Sequence, residues 1–145
     1  MVRNCRSVRQ TKKFAFELSE SIPSGYVIAL LGNLGSGKTT FAQGFASGLG
    51  IKEHVGSPTF KIISEYTGSP HSLFHVDCYR LEHVEDFFKI GGERCLAPDN
   101  AVTLIEWADI IVEVLPKETI VITFQRSKAE PETRIIKIEG WDLDE

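Results

Sequence analysis

Apolar residues recur along this chain with two periods, and the changes between them outline its elements. Over residues 8–21, Phe14 and Leu18, continued by Ile22, repeat every four positions, which predicts an amphipathic helix. Ser7 is its N-cap and Pro23-Ser24-Gly25 its stop. Residues 26–31 form an unbroken apolar run, as in a strand covered on both faces. Phe41, Phe45 and Leu49 then mark one face of a second helix that ends at Gly48-Leu49-Gly50. Gly44 inside that helix costs about 1 kcal/mol relative to Ala, tolerable where the helix must approach the sheet closely.

Residues 60–66 mostly alternate, and Gly68-Ser69-Pro70 turns the chain, which predicts a hairpin into a strand over 73–77. Residues 81–90 carry a short helical period that Gly91 and Gly92 break. Residues 101–105 read as a central strand, 108–114 as a short helix, and 119–124 with 133–138 as an antiparallel strand pair. The sum is one α/β domain over residues 1–145, three layers around a mixed β-sheet with a C-terminal antiparallel strand pair.

The most informative stretch lies between the first central strand and the second helix. Gly32-Asn33-Leu34-Gly35-Ser36-Gly37-Lys38-Thr39 fits the phosphate-binding loop, which makes the fold P-loop NTPase-like. Its glycines let successive N–H groups point at phosphate oxygens, and the helix N-terminus adds its dipole. Lys38 would reach the β- and γ-phosphates and the Thr39 hydroxyl would hold Mg²⁺. A nucleoside triphosphate is therefore the expected ligand, although no residue pattern selects the base.

Two acids end apolar runs. His75-Val76-Asp77 and Ile105-Glu106-Trp107 each deliver a carboxylate from a strand end. The run before Glu106 is the more continuously apolar, so Glu106 is assigned to the metal. Asp77 is assigned to activating water or to orienting the metal from outside its ligand set. A helix cap or a surface ion pair is the ordinary alternative for either acid. In Gly56-Ser57-Pro58-Thr59-Phe60, Thr59 stands where nucleotide switches place a sensing hydroxyl, and an ordinary turn anchored by Phe60 explains the segment equally well. His75, Asp77 and Cys78 lack the second cluster a zinc site needs. His54, His71 and His83 are expected in solvent, and core packing is the commoner fate of a residue such as Trp107.

Composition narrows the partners. The net charge of −4 gives no attraction for bulk nucleic acid. Cys5, Cys78 and Cys95 are odd in number with no metal spacing, which indicates reduced thiols and a cytoplasmic location. No apolar stretch reaches the length of a membrane span, and Arg3, Arg6 and Arg9 are not followed by a signal-type apolar segment.

Four ordered motifs carry a resemblance over nearly the whole chain. The phosphate loop continuing into Thr40-Phe41, the Gly56–Phe60 element, His75-Val76-Asp77-Cys78-Tyr79-Arg80-Leu81 and Ile105-Glu106-Trp107, with Leu115-Pro116 after it, resemble the bacterial TsaE (YjeE) family. The resemblance implies an ATPase, weak alone, that supports threonylcarbamoylation of adenosine 37 in tRNA together with the TsaD and TsaB proteins. It implies ATP at Leu34, Gly35, Ser36, Gly37, Lys38, Thr39 and Thr40, and Mg²⁺ on Thr39 and Glu106. It further implies catalytic roles for Lys38, Asp77 and Glu106, and places Thr11 and Arg134 near the adenine end. Asn33 departs from the family's usual Asp, and after Glu93 the expected second acid is Arg94. The alternatives are a small-molecule or nucleotide kinase, for which residues 81–98 offer too few arginines for a lid, and a module that holds nucleotide without turnover.

Overall fold

The structure, a computed structural model, describes residues 1–33, 35–56 and 61–143. Among these, seven strands form one mixed sheet: β1 (Val2–Cys5), β2 (Val27–Leu31), β3 (Ile63–Tyr66), β4 (Ser72–Asp77), β5 (Ala101–Glu106), β6 (Ile120–Arg126) and β7 (Arg134–Glu139). Their order is β1-β7-β6-β2-β5-β4-β3. The central strands β6, β2, β5 and β4 run parallel, while β3, β7 and β1 add antiparallel pairs toward the edges.

Helices α1 (Val8–Ser21) and α2 (Lys38–Gly48) pack on one face of the sheet. α3 (Val84–Lys89), α4 (Glu93–Leu96) and a 3₁₀ helix (Ala108–Val114) lie on the other. The two clusters of buried residues follow from strand alternation: Ile28 and Leu30 point to α1 and α2, and Val27 and Ala29 to the opposite layer. The three-layer fold and the C-terminal antiparallel pair agree with the pattern of the sequence.

Four expectations change. β1 lies where no strand was expected, because Val-Arg-Asn-Cys has little strand character of its own and is held by pairing with β7. Ile63, rather than residue 60, begins β3, and residues 57–60 lie outside the described residues. α3 starts at Val84, three residues late, because the Asp86 carboxylate accepts the His83 N–H (3.1 Å) and fixes the N-terminus there. His71 is not in solvent: it is only 5% exposed, and burial lowers its pKa. His54 and His83 are exposed, as expected.

Gly44 does make a close approach, but to α1 rather than to the sheet. A Cβ there would stand 2.4 Å from the Lys12 carbonyl oxygen. One turn on, a Cβ at Gly48 would meet the Phe16 carbonyl oxygen at 2.9 Å. The two helices therefore cross nearly backbone to backbone. Among the described residues, no helix is long and apolar enough to cross a membrane.

The cysteines yield a pH prediction. Burial pushes the Cys78 thiol up to about 12 and the Cys95 thiol up to about 11, from an ordinary value of 9.0. Below pH 9 both states keep these protons. From pH 9 toward 11 the unfolded chain loses them first, so stability falls as pH rises, by up to about 1.4 kcal/mol per pH unit for each thiol. Urea denaturation between pH 8 and 10 is expected to show a steeper loss for the native chain than for a Cys78→Ala/Cys95→Ala variant. Parallel slopes would contradict burial of the thiols.

Candidate functional site

Three parallel strands end together. In register, Leu30 of β2 lies beside Glu106 of β5, and Glu106 beside Asp77 of β4. The chain leaves β2 into the glycine-rich loop, so the loop and both acids meet at the C-terminal edge of the sheet, where ligands of open α/β sheets bind. A cleft of about 190 Å³ opens here. Gly35, Gly37, Lys38, Thr39 and Thr40 line it, together with Glu106, Trp107, Thr11 and Arg134.

The loop turns into α2 through Gly37, whose φ of 109° and ψ of 9° put the helix N-cap in the left-handed region. A side chain there would be strained, and its Cβ would meet the Arg134 stem at 3.6 Å. No side chain caps α2, so its first N–H groups face the cleft and the helix dipole favours an anion there. Ser36 is 4% exposed, and its Oγ has no hydrogen-bond partner among the described residues. Leu34 lies outside the described residues, as do Ser57, Pro58, Thr59 and Phe60 of the expected switch.

Lys38 is almost fully buried. Its ammonium donates to the Gly32 carbonyl and, at 3.4 Å, to that of Asn33. It also stands 3.8 Å from the centroid of the Trp107 ring. Burial lowers its pKa, and the carboxylates of Glu106, Asp77 and Asp109 oppose that shift.

Glu106, 2% exposed, is shared between two neighbours. Its Oε1 accepts the Thr39 hydroxyl at 3.2 Å, and its Oε2 lies 2.5 Å from His75 Nε2. The two residues assigned to the metal from sequence are thus in direct contact, although 67 positions separate them. Both offer hard oxygen ligands, the kind Mg²⁺ takes. Asp77 sits one strand away, half-buried, with Oδ1 accepting the Tyr79 N–H at 3.0 Å. Arg134 lies against the loop itself, its Nη2 3.4 Å from the Gly35 carbonyl oxygen.

The structure adds residues to which sequence assigned no role at the site. Ser7 and Val8 enter the cleft because α1 starts there. Glu132 arrives on the β6–β7 connection, which carries no motif. Arg126 faces Arg134 across β6–β7 and reaches within 3.8 Å of a Cβ built on Gly35. Trp107 is half-buried: it packs against the core of the second layer, as expected, and also lines the cleft, its ring 4.9 Å from that of Tyr79. Its backbone is left-handed, with φ 55° and ψ 46°, a conformation costing about 1–3 kcal/mol for a bulky residue. Such strain persists where surrounding contacts enforce it, and its position directly after Glu106 was the one available signal.

Comparison with known proteins follows the same residues. The model of the family described as threonylcarbamoyl adenosine biosynthesis protein TsaE matches residues 5–136. The chain is 38% identical over 120 residues to the tRNA threonylcarbamoyladenosine biosynthesis protein TsaE of Treponema pallidum, covering 83% of this chain and 87% of that one. It is 42% identical over 118 residues to the TsaE protein of Bacillus subtilis, covering 81% and 73%. The TsaE protein of Borreliella burgdorferi is 30% identical over 141 residues, covering 97% and 100%. The crystal structure of Bacillus subtilis YdiB superposes with a TM-score of 0.76 at 34% identity, over 95% of this chain and 83% of that one.

Proposed function

This chain belongs to the TsaE family of threonylcarbamoyl adenosine biosynthesis proteins, and from that premise we propose that it is a Mg²⁺-dependent ATPase, weak alone, that supports threonylcarbamoylation of adenosine 37 in tRNA with the TsaD and TsaB proteins. The observation that carries the proposal is the Thr39–Glu106 contact of 3.2 Å beside the Lys38 ammonium, at the uncapped start of α2.

The donor set fits the group it would hold. Thr39 and Glu106 supply hard oxygen ligands for Mg²⁺, and the loop amides with Lys38 supply donors for phosphate oxygens. Bound there, Mg²⁺ would neutralise charge on the β- and γ-phosphate oxygens. The chain's own residues do the rest. Gly35, Gly37, Thr39 and Thr40 line the cleft beside Lys38, and the free N–H groups at the start of α2 are the donors proposed for phosphate oxygens. Lys38 places positive charge against the phosphates. Asp77, on the strand beside Glu106, is the residue proposed to orient or deprotonate a water. Thr11 and Arg134, which also line the cleft, are the residues proposed to stand beside adenine.

A kinase reading gains no support from residues 81–98. Phe87 and Cys95 are fully buried and tie that span to the core, where a mobile lid would stand free. Weak hydrolysis by the lone chain follows if the partners complete the charge stabilisation around the transferred group.

The test is ATP hydrolysis with and without TsaD and TsaB. Stimulation by the pair is expected, and Glu106→Ala should reduce it at least 100-fold, the scale of losing one preorganised electrostatic contact. Calorimetry in the same buffers should show ATP affinity that falls when EDTA removes Mg²⁺. A native chain with no Mg²⁺-dependent affinity would sink the proposal.

A further inference from the structure

We infer that His75 is a positioning residue that aims the Glu106 carboxylate at Thr39, an inference that rests on the function proposed above. His75 lies on β4 opposite Leu104 of β5, on the same face as Leu73, Val102 and Leu104, which belong to the apolar layer under α1 and α2. Its exposure is 0%. An imidazole in such a layer is costly, and a leucine would serve packing alone.

Its Nε2 bonds Glu106 Oε2 at 2.5 Å, while Nδ1 has no partner among the described residues. The ring therefore makes one strong directional contact and tolerates an unmet one. A carboxylate is an acceptor only, so the tautomer that suits this contact carries its hydrogen on Nε2. With Oε2 held from beneath the sheet edge, the remaining oxygen Oε1 is turned toward the Thr39 hydroxyl at 3.2 Å. Without the ring, the carboxylate would be free to rotate about its terminal torsion, whose minima are broad. Ligands to metals are commonly held this way by an outer partner, whose loss costs about 10–100-fold in metal affinity.

The experiment compares the native chain with His75→Leu, His75→Gln and His75→Asn. Calorimetry would measure ATP affinity across a Mg²⁺ titration and again in EDTA, and circular dichroism would verify folding. Gln can present an N–H where Nε2 stands, and Asn is too short to do so. For Leu and Asn the Mg²⁺-dependent affinity should fall at least about tenfold with the EDTA value unchanged, while Gln stays within a few-fold of native. A purely structural role would shift both affinities together and show no rescue by Gln. If Leu fails to fold, the Gln and Asn pair decides. Equal Mg²⁺ dependence in all folded variants overturns the inference but leaves the proposed function standing. Absence of Mg²⁺ dependence in the native chain removes both.

Discussion

Lys38→Ala is expected to weaken ATP binding about 100-fold and to abolish hydrolysis, alone or with the partner proteins. The ammonium sits at the floor of the cleft, bonded to the Gly32 and Asn33 carbonyls and stacked over Trp107. A charge-assisted hydrogen bond contributes roughly 1.5–3 kcal/mol, and each 1.4 kcal/mol is tenfold in affinity. Lys38 is buried and its pKa is already lowered by that burial, so a phosphate would meet a poorly hydrated cation. Alanine also frees the loop carbonyls that the ammonium now holds. Lys38→Met keeps much of the stem and separates the two effects. If charge is what matters, Met should bind as weakly as Ala; affinity close to native in Met would show that Lys38 mainly braces the loop.

Gly44→Ala should destabilise the fold by at least about 2 kcal/mol, opposite in sign to the usual effect of this change in a helix. An exposed helical glycine gains about 1 kcal/mol when replaced by alanine. Here the new Cβ would lie 2.4 Å from the Lys12 carbonyl oxygen and 2.6 Å from the Lys12 Cα. These are backbone atoms of α1, which cannot swing aside as a side-chain tip can. Forcing a methyl into a closed contact costs typically 1–3 kcal/mol, and more where the neighbour cannot relax. The same crossing positions the cleft, because α2 begins at the phosphate loop and the first turns of α1 contribute Ser7, Val8 and Thr11 to its lining. Loss of nucleotide affinity should therefore accompany the loss of stability. Thermal denaturation with a calorimetric ATP titration checks both, and a variant at least as stable as the native chain would contradict the close helix crossing.

Much of the architecture was legible because it is written locally. Ser7 caps α1 by accepting the Gln10 N–H at 3.1 Å, and a helix N-terminus is a matter of four consecutive residues. The phosphate loop, the run into Glu106 and the β6–β7 pair are likewise set by spacing within a few turns or strands. Glu106 is central because β5 lies between β2 and β4, as its unbroken apolar run implied.

Other features depend on what lies across the fold. β1 is a strand because β7 offers it a ladder, and four residues of mixed polarity cannot announce that alone. His71 was assigned to solvent from its type, yet packing closes over it. The glycine in α2 pointed to a close approach without saying to which layer, and the partner proved to be α1. Trp107 packs on the core as its type suggests, yet its place in the cleft wall, on a left-handed backbone at the turn out of β5, depends on the fold.

The residue order by itself determined that a glycine-rich loop joins a buried strand to a helix, and that two acids end strands of the same sheet, because periodicity and turn chemistry act over a few residues. Only the folded chain decided that Glu106 divides its oxygens between Thr39 and His75, and that Arg126, Arg134 and Trp107 close around the loop. Those contacts join residues tens of positions apart, and strand register and helix crossing alone bring them within bonding distance.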